Sequence, residues 1–103
     1  MVDFRLSEEQ EMIRDMAREF CDEEIIPKAE EWDKSGTYPL KAIARAHELG
    51  LLNVTIPEKY GGAGMSAVDE MIICEELSRG DPGFGTASYH TMLASFPVLT
   101  GGT

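Results

Sequence analysis

From Pro82 to Thr103 the chain carries no Asp, Glu, Lys or Arg, whereas its first 34 residues hold twelve acids and five bases. A chain terminus is normally solvated and polar, because uncovered apolar surface costs roughly 25 cal/mol per Å². The segment PGFGTASYHTMLASFPVLTGGT is therefore expected to face something: other parts of a larger protein, a ligand, or both.

A length of 103 residues suits a single domain, and 43% hydrophobic with 27% charged residues is the composition of an ordinary globular chain. Nineteen acids against nine bases, a net charge of -10, exclude a nucleic-acid-binding role, which needs Lys and Arg gathered on one face. No run of about eighteen uncharged apolar residues predicts a membrane span, and the start MVDFRLSEEQ lacks the basic-then-apolar pattern of a secretory signal, so an intracellular protein is expected. Cys21 and Cys74 stand far apart, with no CxxC and no clustered histidines, which predicts two buried thiols rather than a disulfide or a metal site.

The expected fold class is all-α, a bundle of about five helices with a short extended connector and no internal domain boundary. Ser7-Glu8-Glu9-Gln10 is a capping box, followed by the apolar stripe Met12, Ile13, Met16, Ala17, Phe20 and Cys21. Pro27 predicts a break at Ile26 and a second short helix to Gly36. Tyr38-Pro39 opens a third helix that ends at a left-handed Gly50. Leu52, Val54 and Ile56 alternate, but a lone segment of this kind has no strand partner and reads as an extended connector. Ser66 and Asp69 cap a fourth helix, apolar around most of its circumference and suited to the middle of a bundle, which Gly80 ends. Asp81-Pro82 caps a fifth, expected to reach about Ser95 before Pro97 interrupts it.

Chemistry-bearing patterns are sparse. The glycines of Tyr60-Gly61-Gly62-Ala63-Gly64 fit neither a phosphate-loop nor a dinucleotide fingerprint and read as a tight turn between helices. Gly83-Phe84-Gly85 reads as small residues allowing close packing. The acids Asp22, Glu23, Glu24, Glu30, Glu31 and Asp33 read as a solvated face. On the charge-free helix, Thr86, Tyr89, His90 and Leu93 recur at i, i+3, i+4 and i+7 and project from one face, which suits an interior layer or a pocket wall. Without a nucleophile–base set, no residue of this chain is assigned a catalytic role.

In combination, Ser7-Glu8-Glu9-Gln10, Glu24-Ile25-Ile26-Pro27, Asp33-Lys34-Ser35-Gly36-Thr37-Tyr38-Pro39, Glu48-Leu49-Gly50-Leu51, Ile56 to Gly64 and Glu75-Glu76-Leu77-Ser78 resemble, in order and across the whole chain, the N-terminal helical domain of the acyl-CoA dehydrogenases. The short- and medium-chain members are the nearest in pattern. The resemblance implies that residues 1–103 are the first part of a three-domain flavoenzyme, cut near this domain's C-terminal end, whose middle β-domain and C-terminal helical domain lie outside this sequence. It implies α,β-dehydrogenation of fatty acyl-CoA thioesters: a glutamate, in most members in the C-terminal domain, removes the α-proton, and N5 of FAD takes the β-hydride.

The same resemblance implies an electron-transfer flavoprotein as partner, a homotetramer, and a location in the prokaryotic cytoplasm or the mitochondrial matrix. FAD would be bound by the complete enzyme and not by this piece alone. Matching on Thr86-Ala87 and Pro97 sets Thr86, Tyr89, His90 and Leu93 along the acyl chain as substrate-binding residues, where the rings of Tyr89 and His90 shorten the pocket. Two other readings share these features: a stand-alone helical interaction module, and the same fold in an acyl-CoA oxidase, a flavin monooxygenase or a nitroalkane oxidase.

Overall fold

A computed structural model describes residues 5–102, apart from the side chains of Thr91 and Met92. Its first helix, α1 (Glu8–Phe20), starts at the expected capping box: Gln10 N–H donates to Ser7 Oγ (3.1 Å) and Ser7 N–H to Gln10 Oε1 (3.0 Å). Of the predicted stripe, Ala17, Phe20 and Cys21 are buried, whereas Met12 and Met16 remain exposed.

The break expected at Pro27 does not occur. Residues Cys21–Ile25 form a π turn in which Ile26 N–H donates to the Cys21 carbonyl, five residues back, and α2 (Ile26–Ser35) continues from it with Ile26 at φ -54°, ψ -46°. A proline in the first turn of a helical segment needs no donor, and the wider π turn relieves its ring against the preceding carbonyl. One unbroken rod therefore replaces two predicted helices, and four rods replace five among the described residues. Gly36 ends α2 at φ +68°. Helix α3 (Leu40–Glu48) closes in a Schellman motif, with Gly50 N–H on the His47 carbonyl and Leu51 N–H on that of Ala46, both 3.0 Å.

The connector after α3 is folded rather than extended. Burial falls on Leu51 and Val54, not on alternating positions, and Asn53 adopts φ +57°. The chain returns through a 3₁₀ turn (Glu58–Tyr60) so that Met65 N–H reaches the Val54 carbonyl (2.7 Å) and Gly64 N–H that of Ile56 (2.9 Å). These local partners satisfy the backbone, and no strand is present among the described residues.

Helix α4 (Ala67–Gly80) begins at a second capping box, Ser66 with Asp69, and α5 (Pro82–Gly101) at Asp81, whose Oδ1 accepts from Gly83 N–H (3.1 Å). The expected stop before Pro97 is also absent. Pro97 withholds one hydrogen bond, from the Leu93 carbonyl, but both residues are exposed and water can reach that oxygen. Beyond it, Thr100 Oγ donates to the Phe96 carbonyl (2.9 Å) and Gly102 N–H to that of Val98 (2.9 Å).

Helices α1 and α4 lie side by side and parallel. Gln10 donates to Asp69 (3.2 Å), Arg18 makes a two-pronged bond to Glu76 (2.8 and 3.2 Å), and Arg79 bonds Asp22 (2.7 Å). The partners stand 59, 58 and 57 residues apart, a near-constant offset that only parallel neighbours give. Helices α4 and α5 are antiparallel: Gly85 meets Ser78, and one turn further Tyr89 shares a cleft with Cys74. The core between these layers holds Phe20, Ile25, Leu51, Val54, Ile73, Leu77 and Phe84. Phe84 lies between Trp32 (stacked, centroids 5.7 Å apart) and Phe20 (6.1 Å).

Glu76 is buried, and the hydrogen bonds of Arg18, with those of Arg79, hold its carboxyl below the usual glutamate value of 4.5. A value lowered by folding stabilises the folded state above the unfolded value and is lost as pH falls through the folded one. The urea midpoint of the protein should therefore drop as pH falls below 4.5, and Glu76→Gln should flatten that part of the curve; an unchanged pH profile in the variant contradicts this role.

At Gly80 a methyl group would strike Cys21 Sγ and come within 3.1 Å of Ile25 and Ile26. Gly80→Ala, which in an open helix gains up to about 1 kcal/mol, should here cost about 1–3 kcal/mol. In a double-mutant cycle read by urea unfolding, Cys21→Ala should recover part of that loss; strict additivity contradicts the contact.

Candidate functional site

Helix α5 is anchored at one end only. Phe84, Gly85 and Ser88 are buried, but from Tyr89 onward its described side chains turn outward: Leu93 is 57%, Phe96 66% and Val98 68% exposed. The anchoring rests on small residues, as expected of Gly83-Phe84-Gly85. A Cβ at Gly85 would collide with Ser78 Oγ, so α5 crosses α4 at contact distance there. The charge-free stretch is thus not enclosed by the rest of this chain.

Two clefts flank the exposed part of α5. The first, about 410 Å³, opens between α4 and α5 and is lined by Glu70, Met71, Cys74, Ser78, Thr86 and Tyr89. The second, about 950 Å³, lies between α5 and the connector and includes Tyr38, Ile56, Tyr60, His90, Ala94 and Val98. The four predicted pocket residues do not converge on one cavity. Thr86 and Tyr89 line the first cleft, His90 the second, and Leu93 stands exposed on the ridge between, lining neither. Helical geometry accounts for this: Tyr89 and His90, adjacent in sequence, point roughly 100° apart.

The first cleft holds one ionisable group that sequence reasoning did not single out. Glu70 is only 8% exposed as a residue, no described residue pairs with its carboxylate, and the carboxylate oxygens keep contact with solvent. The signal was available, since Glu70, Ile73 and Leu77 occupy i, i+3 and i+7, all on the buried stripe of α4. Burial, and after it the negative charge of Glu70, pushes the Cys74 thiol up to about 11, which leaves it an unreactive thiol at neutral pH. Burial likewise raises the Cys21 thiol. Neither cysteine is in a disulfide; Cys21 is buried as expected, whereas Cys74 is only partly buried.

The acidic run proves mostly solvated, with two refinements: Asp22 pairs with Arg79, and Glu24 is half-buried with Arg45 3.9 Å away. No cluster of three or more metal-ligating side chains occurs among the described residues, and no described helix is long and apolar enough to cross a membrane. A flavin dinucleotide needs a cradle of donors for its diphosphate. The N-terminus of α5 is occupied by Asp81, the first cleft has no cation, and Lys59 of the second lies over the Tyr60 ring (5.0 Å). These residues do not by themselves form such a site.

Residues 7–103 match the family model for the N-terminal domain of acyl-CoA dehydrogenases. The chain is 39% identical over 99 residues to (2S)-methylsuccinyl-CoA dehydrogenase of Cereibacter sphaeroides, covering 95% of this chain and 18% of that protein. It is 41% identical over 99 residues to a probable mitochondrial medium-chain specific acyl-CoA dehydrogenase of Caenorhabditis briggsae, covering 96% and 24%. Among solved structures, a chain from the electron transferring flavoprotein study of Acidaminococcus fermentans superposes with TM-score 0.88 at 39% identity, covering 99% of this chain and 27% of that one. The glutaryl-coenzyme A dehydrogenase complex with glutaryl-CoA superposes with TM-score 0.86 at 33% identity, covering 96% and 26%. The chain therefore spans about a quarter or less of each of these proteins, and it is all-helical: it belongs to the acyl-CoA dehydrogenase family, as that family's N-terminal domain.

Proposed function

We propose that this chain acts as the N-terminal domain of a three-domain, FAD-dependent enzyme that α,β-dehydrogenates acyl-CoA thioesters, and that α5 supplies one wall of its acyl pocket. The observation that carries this reading is the uncharged, one-sidedly anchored α5, whose outer face offers apolar surface and hydroxyls and no fixed charge. Hydrocarbon gains from such a wall by leaving water, at roughly 25 cal/mol per Å². Thr86 and Tyr89 touch the chain from the α4 side, His90 from the connector side, and Leu93 from the ridge between them.

In this reading the flavin, the α-proton base and the tetramer contacts are supplied by the middle and C-terminal domains. This chain only binds and orients the acyl group and excludes water from it. Electrons leave to an electron-transfer flavoprotein, a partner consistent with the name of the Acidaminococcus study. In a eukaryote the enzyme would work in the mitochondrion, where the name of the Caenorhabditis relative places that protein. The relatives' names span medium-chain, methylsuccinyl and glutaryl thioesters, so the acyl class is set by residues in which they differ.

Full-length protein purified with its FAD should bleach anaerobically on addition of a saturated acyl-CoA, and an absence of bleaching with chains of four to eight carbons contradicts the assignment. In that enzyme Tyr89→Ala should move the kcat/KM optimum toward longer chains, by about 10- to 200-fold for a substrate one methylene longer than the optimum. An unchanged chain-length profile removes Tyr89 from the pocket.

A further inference from the structure

Resting on the acyl-pocket reading, we infer that Ser78 is a specificity-determining residue: with Gly85 it forms the closed end of the α4–α5 cleft, and its hydroxyl sets the longest acyl tail the cleft accepts. Helices α4 and α5 are antiparallel and joined by the single residue Asp81, so the space between them is a wedge that narrows toward that turn. The wedge shuts where Gly85 meets Ser78. A Cβ at Gly85 would strike Ser78 Oγ and lie 3.0 Å from Ser78 Cβ and 3.2 Å from its Cα, so no methylene passes between the two helices there.

Away from this contact the cleft of about 410 Å³ opens along α4, past Cys74 to Met71 and Ala67, with Thr86 and Tyr89 on the α5 wall. Ala67 lies about three helical turns from Ser78. The orientation of a substrate in the wedge follows from its size. Coenzyme A is far bulkier than an alkyl chain, so the thioester stays at the open end and the tail points toward the turn.

Ser78 thus meets the last carbon of a chain that fills the cleft and no carbon of a shorter one. Its Oγ has no hydrogen-bond partner among the described residues, whereas Ser88, buried on α5 and outside the cleft, donates to the Gly85 carbonyl (3.0 Å). A terminal methyl pressed against Ser78 Oγ strips it of water without offering a hydrogen bond, a cost that adds to the lack of room. Chains that stop short leave the hydroxyl hydrated.

A series of S-alkyl-CoA thioethers, from S-butyl to S-dodecyl, tests this, because thioethers lack the carbonyl that acidifies the α-proton and are bound without being turned over. Calorimetric titration of the full-length FAD-loaded enzyme should show affinity rising with each added methylene up to one length and falling beyond it. Ser78→Ala removes the hydroxyl and favours the helix. It should bind the first chain beyond that length at least about tenfold more tightly and leave shorter chains unchanged. Ser88→Ala removes a hydroxyl near the same helix crossing without touching the cleft, and should leave the break where it is.

A break that Ser78→Ala leaves in place overturns the inference, as does a gain that is the same at every chain length, a break that Ser88→Ala moves equally, or an affinity that climbs through the whole series. Each of these results leaves flavin bleaching by acyl-CoA, and with it the proposed function, intact. Failure of every thioether to bind, together with no bleaching by any acyl-CoA, overturns the acyl-thioester reading and this inference with it.

Discussion

The parallel clasp between α1 and α4 is the constraint on which the rest of the architecture depends. Parallel neighbours bring two positive helix ends together, which is unfavourable unless negative groups gather there. Here Glu8, Glu9 and Glu11 lie in the first turn of α1, Asp69 and Glu70 lie in that of α4, and Gln10 ties one capping box to the other. Two turns on, Glu76 crosses to Arg18, and Arg79 reaches Asp22 at the π turn. A buried carboxylate between two half-exposed arginines specifies register more than it adds stability, because a slip by one turn would strand it without a partner.

With α4 fixed, the close contact at its end sets the direction of α5. Gly80 lies against Cys21 and Ile25, the single residue Asp81 turns the chain, and Gly85 lies against Ser78. The two helices touch where side chains are smallest and leave a gap where Tyr89 and Met71 are large, so the cleft follows from packing at a neighbouring point. The π turn belongs to the same arrangement, since it supplies the buried thiol and isoleucine against which Gly80 lies.

The helix starts were legible because each is encoded in three or four adjacent residues. Ser7 with Gln10, Ser66 with Asp69, and Asp81 before Pro82 all form the bonds their spacing predicts, Gly50 takes the left-handed turn expected of it, and Gly36 ends α2 where expected, also in a left-handed turn. The proline stops were not, since a proline removes one hydrogen bond, and whether that ends a helix depends on what surrounds the freed carbonyl. At Pro27 a π turn absorbs the insertion, and at Pro97 the carbonyl faces solvent. The connector, read as lacking a strand partner, has none among the described residues, but the alternation over Leu52, Val54 and Ile56 gave no sign of the turns that fold it back on itself.

The candidate site was half legible. A face free of charge is visible in sequence, but its division into two clefts depends on what packs on either side of Tyr89 and His90. Glu70 and Glu76 show the limit most clearly. Both are glutamates on one helix, both are buried, and both stand three residues from Ile73, so spacing does not tell them apart. Which one is neutralised is decided by arginines 58 residues before and three residues after Glu76. Two identical side chains on one helix thus differ through long-range pairing: Glu76, with its arginines, fastens the scaffold, and Glu70 has no such partner among the described residues.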